Sequence, residues 1–163
     1  MMFHMILAVV LAVHPVPMLQ TAAAQASPTK EATMQHATGT FDVKMGPTGH
    51  APDSTLNSMS LDKIFHGDLE GTGKGEMISA GDPASGNAGY VAIERVTGTL
   101  SGHTGSFALM HMASMSSGFA PQMTVMVAPG SGTGELAGIY GTFTITIAAG
   151  KHSYGLDYAF AGK

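Results

Sequence analysis

Apolar and polar residues alternate along several short segments of the chain, which is the pattern of β-strands with one packed and one exposed face. In "TFTITI" (142–147) the phenylalanine and both isoleucines share one face, and the three threonines share the other. The segments "YGLDYAF" (154–160) and "TGTFDV" (38–43) alternate in the same way. No long window has the 3.6-residue period of a capped amphipathic helix. The chain is therefore predicted to be all-β.

The remaining strands are expected between dense glycine and proline turns. They are predicted near 61–70, 74–80, 90–100, 104–112, 123–129 and 134–138. Loops are predicted at 45–57, 80–89 and 113–122, where Gly and Pro supply turns. About eight or nine strands in one domain are enough to close a sheet on itself, so we predict a single antiparallel barrel of about eight strands.

The N-terminus reads as an export signal. The apolar run "MILAVVLAV" (5–13) is too short to span a bilayer. The small residues of "AQA" (24–26) follow it at a possible cleavage site. We predict a signal peptide at 1–26, a flexible segment at 27–36 and the barrel at 37–163. The mature protein would then be secreted or periplasmic, with no stable membrane span. No Lys or Arg precedes the run, so an uncleaved anchor or a misassigned start codon is the alternative.

Charge and composition narrow the class of partner. The formal net charge is -4, and Arg95 is the only arginine, so the clustered cations that nucleic-acid binding needs are missing. There is no cysteine, so an exported domain must be stabilised by core burial and not by disulfides. The glycine-rich runs 71–76 and 129–136 lack P-loop spacing, and neither precedes a helix. No cofactor is predicted.

An internal repeat indicates which side chains point inward. The segments 98–107 and 134–143 share the pattern G-x-L-x-G-x-x-G-[ST]-F. Continuing the alignment places His111 where the second copy has Ile147, on the face shared with the packed phenylalanines. Counting back by twos from the leucine of the first copy places Glu94 inward as well, provided that no bulge at the first glycine changes the register.

Glu94 and His111 are the candidate catalytic residues. A carboxyl group on an apolar wall is expected to have a raised pKa, and a neutral imidazole beside it could relay a proton to a bound carbonyl compound. The alternative is structural: Glu94 pairs with Arg95, Lys63 or a backbone amide, and His111 is a satisfied core residue.

Longer motifs resemble a bacterial family of uncharacterised domains. They are "FHGDLEGTGKGE" (65–76), "YVAIERVTGTLSGHTGSFALMH" (90–111), "VAPGSGTGELAGIYG" (127–141) and "YGLDYAF" (154–160). That family is similar in structure to plant allene oxide cyclases and dirigent proteins. The resemblance spans Thr38 to Phe160 and implies an antiparallel barrel of about eight strands with an interior cavity. Plant relatives cyclise or couple small apolar molecules and form trimers, so self-association is to be tested.

The leading functional hypothesis is therefore binding of a small apolar ligand inside the barrel. Its predicted contacts are Phe107, Leu109, Phe143, Ile145, Tyr154 and Tyr158. The first alternative is an isomerase or cyclase that uses Glu94 and His111 for proton transfer. The second is copper handling through the Met110–Met115 cluster, because thioether and imidazole ligands suit copper(I).

Overall fold

The computed structural model describes residues 32–161, and the predicted signal peptide lies outside them. These residues form nine strands: β1 (Gln35–Pro47), β2 (Leu56–Gly67), β3 (Leu69–Asp82), β4 (Asn87–Leu100), β5 (His103–Met115), β6 (Gln122–Val127), β7 (Thr133–Gly134), β8 (Ile139–Ala148) and β9 (Lys151–Phe160). The only helical segment in this part of the chain is a short 3₁₀ turn at Pro83–Ser85. Within 32–161, no helix has the length and apolarity that crossing a membrane requires.

Eight of the strands close into one antiparallel barrel, which confirms the predicted fold class. Their order around the ring is β1, β2, β3, β4, β5, β6, β8 and β9, and β9 returns to β1. Between β6 and β8 the paired residues are Met126 and Thr142. The short β7 pairs with β5 outside the ring. Closure satisfies the strand edges within the chain.

Several predicted boundaries are wrong in the same direction, because hairpins extend into segments whose composition favours loops. β3 and β4 remain paired as far as Asp82 and Asn87, inside the predicted loop 80–89.

The predicted strand at 134–138 is mostly a turn. Gly134 and Gly138 have φ values of 60° and 80°, a region that favours glycine and ends extended structure. Leu136 between them is nevertheless fully buried.

The register through the first repeat is regular. β4 and β5 are joined by the two-residue turn Ser101–Gly102, whose positive φ values of 48° and 89° suit the right-handed twist of a hairpin. Pairing continues without interruption from this turn to Ala88 opposite Met115, so there is no bulge at Gly98. The inward direction inferred for Glu94 therefore holds.

The interior is packed at the end of the barrel where β1, β3, β5 and β8 begin, which we call the filled end. Phe65 and Phe143 meet edge to face, and Tyr154 stacks on Phe143 with the ring centroids 5.2 Å apart. The other large apolar side chains that are fully buried in the core are Leu69, Val96, Leu100, Phe107, Leu109, Leu136, Ile139, Leu156 and Tyr158. Such a core accounts for stability without disulfides.

Candidate functional site

Three ionisable side chains lie inside the barrel, above the packed core. They belong to Lys63 on β2, Glu94 on β4 and His111 on β5, and their exposed fractions are 5%, 0% and 3%. Side chains alternate between the inside and the outside along each strand, and all three occupy inward positions. Burial of a charge this complete is costly unless another charge or a polar group compensates it.

Two glycines of β3 make room for this group. Gly73 lies opposite Lys63 in the β2–β3 pair, and Gly75 lies opposite Glu94 in the β3–β4 pair. A Cβ atom at Gly73 would lie 3.4 Å from the Cβ of Lys63 and 3.5 Å from the Cδ of Glu94. At Gly75 it would lie only 2.6 Å from the Cβ of Glu94. The side chains of β2 and β4 therefore meet across β3, which explains the glycines of "GTGKGE".

Lys63 and Glu94 form an ion pair. The Nζ atom of Lys63 is 2.8 Å from Oε2 of Glu94, and Nε2 of His111 is 3.8 Å from Oε1. Neither contact has hydrogen-bond geometry, and both Glu94 oxygens and the His111 Nε2 have no hydrogen-bond partner among residues 32–161. The ammonium group also lies 4.8 Å from the centre of the Phe41 ring, a favourable cation–π distance.

The charge environment decides the ionisation of Glu94. Burial acts to raise the pKa of its carboxyl group, but the His111 imidazole and the Lys63 ammonium together outweigh burial, so the pKa lies below the usual value. The expected raised pKa was therefore wrong, because an apolar wall alone does not describe this site. Glu94 is a carboxylate near neutral pH and has no proton to donate.

The barrel is open above these residues, at the end where β1, β3, β5 and β8 stop. We call this the open end. A cavity of about 180 Å³ lies there. Its wall consists of Phe41, Val43, Met45, Leu61, Lys63, Met77, Tyr90, His111, Met123, Ile145, Ile147 and His152. Glu94 is absent from this lining and lies behind Lys63 and His111. The cavity therefore has an apolar wall and an ionisable floor.

The predicted ligand contacts divide between the two ends. Ile145 lines the cavity, whereas Phe107, Leu109, Phe143, Tyr154 and Tyr158 are packed in the core. The two tyrosine hydroxyls have structural partners: the Leu69 N–H donates to Tyr154 over 2.9 Å, and Tyr158 donates to the Gln35 side chain over 3.1 Å. A ligand role for the five packed residues stays a prediction.

The repeat alignment placed His111 correctly inside, but its counterpart Ile147 is 61% exposed. β8 ends at Ala148, whereas β5 continues to Met115, so the two aligned positions differ in their depth below the rim.

Sequence reasoning missed Tyr90 and His152, which both line the cavity. Counting by twos from Glu94 and from Tyr154 would have found both. Burial and the charge of Glu94 raise the pKa of Tyr90.

Met110 and Met112 do not form one site with His111, and Met115, on the same face of β5 as His111, is the last residue of that strand. Successive residues of a strand point to opposite faces, so Met110 and Met112 lie outside the barrel and His111 lies inside. Met112 is 61% exposed. The described residues also contain no cluster of three His, Cys, Asp or Glu side chains that could hold a metal ion.

Fold and site together define a small closed antiparallel β-barrel with one packed end and one open end. The chain belongs to the family described as "Protein of unknown function (DUF3224)", whose model matches residues 37–158. Membership of a family of uncharacterised domains is thus confirmed, while the likeness to allene oxide cyclases and dirigent proteins stays a prediction.

A solved structure supports the same assignment. The crystal structure of a DUF3224-family protein of unknown function from Shewanella oneidensis MR-1 is 43% identical to the chain, with a TM-score of 0.72. The match covers 80% of this chain and all of the Shewanella chain. The search of curated proteins returned no match. Function must therefore be argued from the site.

The buried ion pair should be far more important for stability than an exposed one. Lys63→Met would leave a buried unpaired carboxylate and should lower the free energy of unfolding by about 3–5 kcal/mol. Lys74→Met is the matched control, because Lys74 pairs with Asp62 over the same 2.8 Å on the exposed outer face. It should cost less than about 1 kcal/mol. Urea denaturation measures both, and equal losses would contradict the assignment.

Glu94 should also make stability depend on acid pH. Its pKa is lowered in the folded protein, so its contribution is complete above the unfolded pKa of about 4.3 and is lost as the pH falls through the folded pKa. Between about pH 6 and pH 3, the wild type should lose unfolding free energy more steeply than Lys63→Met/Glu94→Gln, which lacks this titration. Parallel pH profiles in urea denaturation would be inconsistent with a depressed Glu94 pKa.

Proposed function

We propose that the protein binds a small, largely apolar molecule at the open end of the barrel, with the ligand's polar group on Lys63 and His111. The observation that carries this proposal is the cavity itself, which has an apolar wall and the side chains of Lys63 and His111 at its floor. Ligand sites commonly combine apolar walls with a few convergent polar groups.

The composition and size of the wall support this proposal. Met45, Met77 and Met123 have flexible, polarisable side chains that adapt to the shape of a ligand. A cavity of about 180 Å³ is smaller than the roughly 300–1,000 Å³ of drug-sized sites. The bound molecule is accordingly small, or part of it extends beyond the rim. Export of the protein and its self-association remain separate proposals, based on the sequence alone.

Methionine methyl groups provide a built-in test of binding. With isotope-labelled methionine methyls, a titration with octanol should shift the NMR signals of Met45, Met77 and Met123. The signals of Met112 and Met126 on the outer face serve as the internal reference and should stay in place. This difference is expected because the open end is apolar and concave.

A matched pair of variants makes the same test quantitative. Met123→Trp should cover the mouth and weaken octanol binding by about tenfold or more, whereas Met112→Trp on the outer face should not weaken it. Shifts confined to the outer methionines, or equal weakening by both variants, would refute the location of the site. No shift at any methionine would refute the binding function.

Proton transfer is a second candidate function, because His111 connects the cavity with Glu94. Its Nε2 atom faces the carboxylate, and its ring also forms part of the cavity wall. A carboxylate behind an imidazole fixes the orientation of the ring. His111 would be the catalytic residue in contact with the ligand, and Glu94 would be a positioning residue.

The reaction that this geometry supports is isomerisation next to a carbonyl group. Neutral His111 accepts a proton from the carbon beside the carbonyl, and the electron pair of that C–H bond forms an enolate. The imidazolium ion then returns the proton to another atom of the ligand. The proton removed in the first step is restored in the second, so no oxidant, reductant or co-reactant is needed. Lys63 is placed to stabilise the negative charge of the enolate.

Deuterium uptake tests this candidate function without a known substrate. In deuterium oxide, the wild type should accelerate exchange at the carbons beside the carbonyl group of cyclohexanone. His111→Gln should lower the acceleration by about 10²–10⁴-fold, the usual contribution of a general base. His111→Gln should still bind cyclohexanone, as judged from the signals of Met45 and Met77. Unchanged exchange in this variant would eliminate proton transfer by His111.

A further inference from the structure

We infer that the ligand class is a monocarboxylate with an apolar body, and that Lys63, His111 and His152 recognise its negative charge. The inference rests on the proposed function, because it names the chemistry of the molecule that occupies the open end. It follows from the signs and positions of the polar groups around the cavity.

The cavity presents hydrogen-bond donors and basic groups. Its polar side chains are those of Lys63, Tyr90, His111 and His152, and each has at least one N–H or O–H to donate. None of the described residues in the lining is Asp or Glu. A ligand cation would find no counter-charge on this wall, whereas a carboxylate would find several donors.

The lack of acidic side chains in the cavity lining contrasts with the rest of the protein. The chain carries a formal net charge of -4. A groove on the outer face of β1, β2 and β3 includes Asp42 and Asp62 together with lysines, and Glu76 lines another on the outer face of β3 and β4. The absence of acidic side chains from the cavity lining is therefore a property of this site and not of the surface in general.

The negative charge of Glu94 does not offset the basic groups of the cavity wall, because Glu94 lies behind that wall. Lys63 belongs to the cavity wall, whereas Glu94 is fully buried behind it, so the ion pair presents its positive end to the cavity. An ammonium group has three N–H donors, and the contact with Oε2 engages one of them at most. The others are available to an anion in surroundings where charge is weakly screened.

His152 is the third basic side chain of the recognition site, beside Lys63 and His111. It lies on β9, across the barrel from β4, and its ring packs against Phe41 with the centroids 5.0 Å apart. Lys63 contacts the same Phe41 ring on its neighbouring strand. Both basic side chains therefore pack against the ring of Phe41, and both line the cavity.

The test compares three eight-carbon molecules that differ only in the head group: octanoate, octanol and octylammonium. Calorimetry at about pH 7 and low salt should give a dissociation constant at least about tenfold lower for octanoate than for octanol, and weaker binding for octylammonium. Both His152→Gln and Lys63→Met/Glu94→Gln should reduce the octanoate preference, taken as the ratio of the octanol and octanoate dissociation constants of the same variant, to less than about threefold. Lys74→Met on the outer face is the control and should keep the full preference.

The outcomes separate this inference from the proposed function. If octanol and octanoate bind equally at the methionine-lined mouth, the proposed function stands and the carboxylate inference is wrong. If the preference survives both cavity variants, or disappears in Lys74→Met, the assigned residues do not recognise the charge and the inference is also wrong. If none of the three binds, both proposals fail. His152 lies near the rim, so its variant gives an answer even if the double variant does not fold.

Discussion

The contact between Lys63 and Glu94 is the constraint on which the rest of the site depends. Either charge alone would be buried without compensation, so β2 and β4 must keep the register that brings the two together. They are separated by β3, where Gly73 lies opposite Lys63 and Gly75 lies opposite Glu94, so no β3 side chain stands between the two charges. The ion pair thus links a feature of local sequence, the glycines of β3, to the arrangement of three strands.

The same contact marks the boundary between the two ends of the barrel. Below it, aromatic and aliphatic side chains fill the interior as in any packed core. Above it, methionines and isoleucines surround a cavity that opens to solvent. The buried side chains of Lys63, Glu94 and His111 lie between these two regions, so the interior changes from an apolar core to a charged layer and then to the cavity.

Much of this could be predicted from sequence, and the misses have a common physical cause. Period-two alternation identified the strands, and regular hairpin register placed Glu94 and His111 inside. Lys63 was only one of several partners considered for Glu94, because partners two strands apart depend on the complete register. The direction of the Glu94 pKa shift was missed for the same reason. Loop boundaries were missed because composition does not reveal how far a hairpin remains paired, and the cavity depends on side-chain packing.

Binding and proton transfer are closely related functions for this arrangement. The His111 imidazole and the Lys63 ammonium hold the pKa of Glu94 below its usual value, and both of these side chains line the cavity. The same donors that would hold a carboxylate would also stabilise an enolate, because both place negative charge above Lys63 and His111. What separates a binding protein from an isomerase here is the position of the ligand's acidic C–H relative to the imidazole. A carboxylate that occupies the donors itself leaves no such C–H at His111, so tight anion binding and catalysis on the same molecule require a ligand that carries both groups.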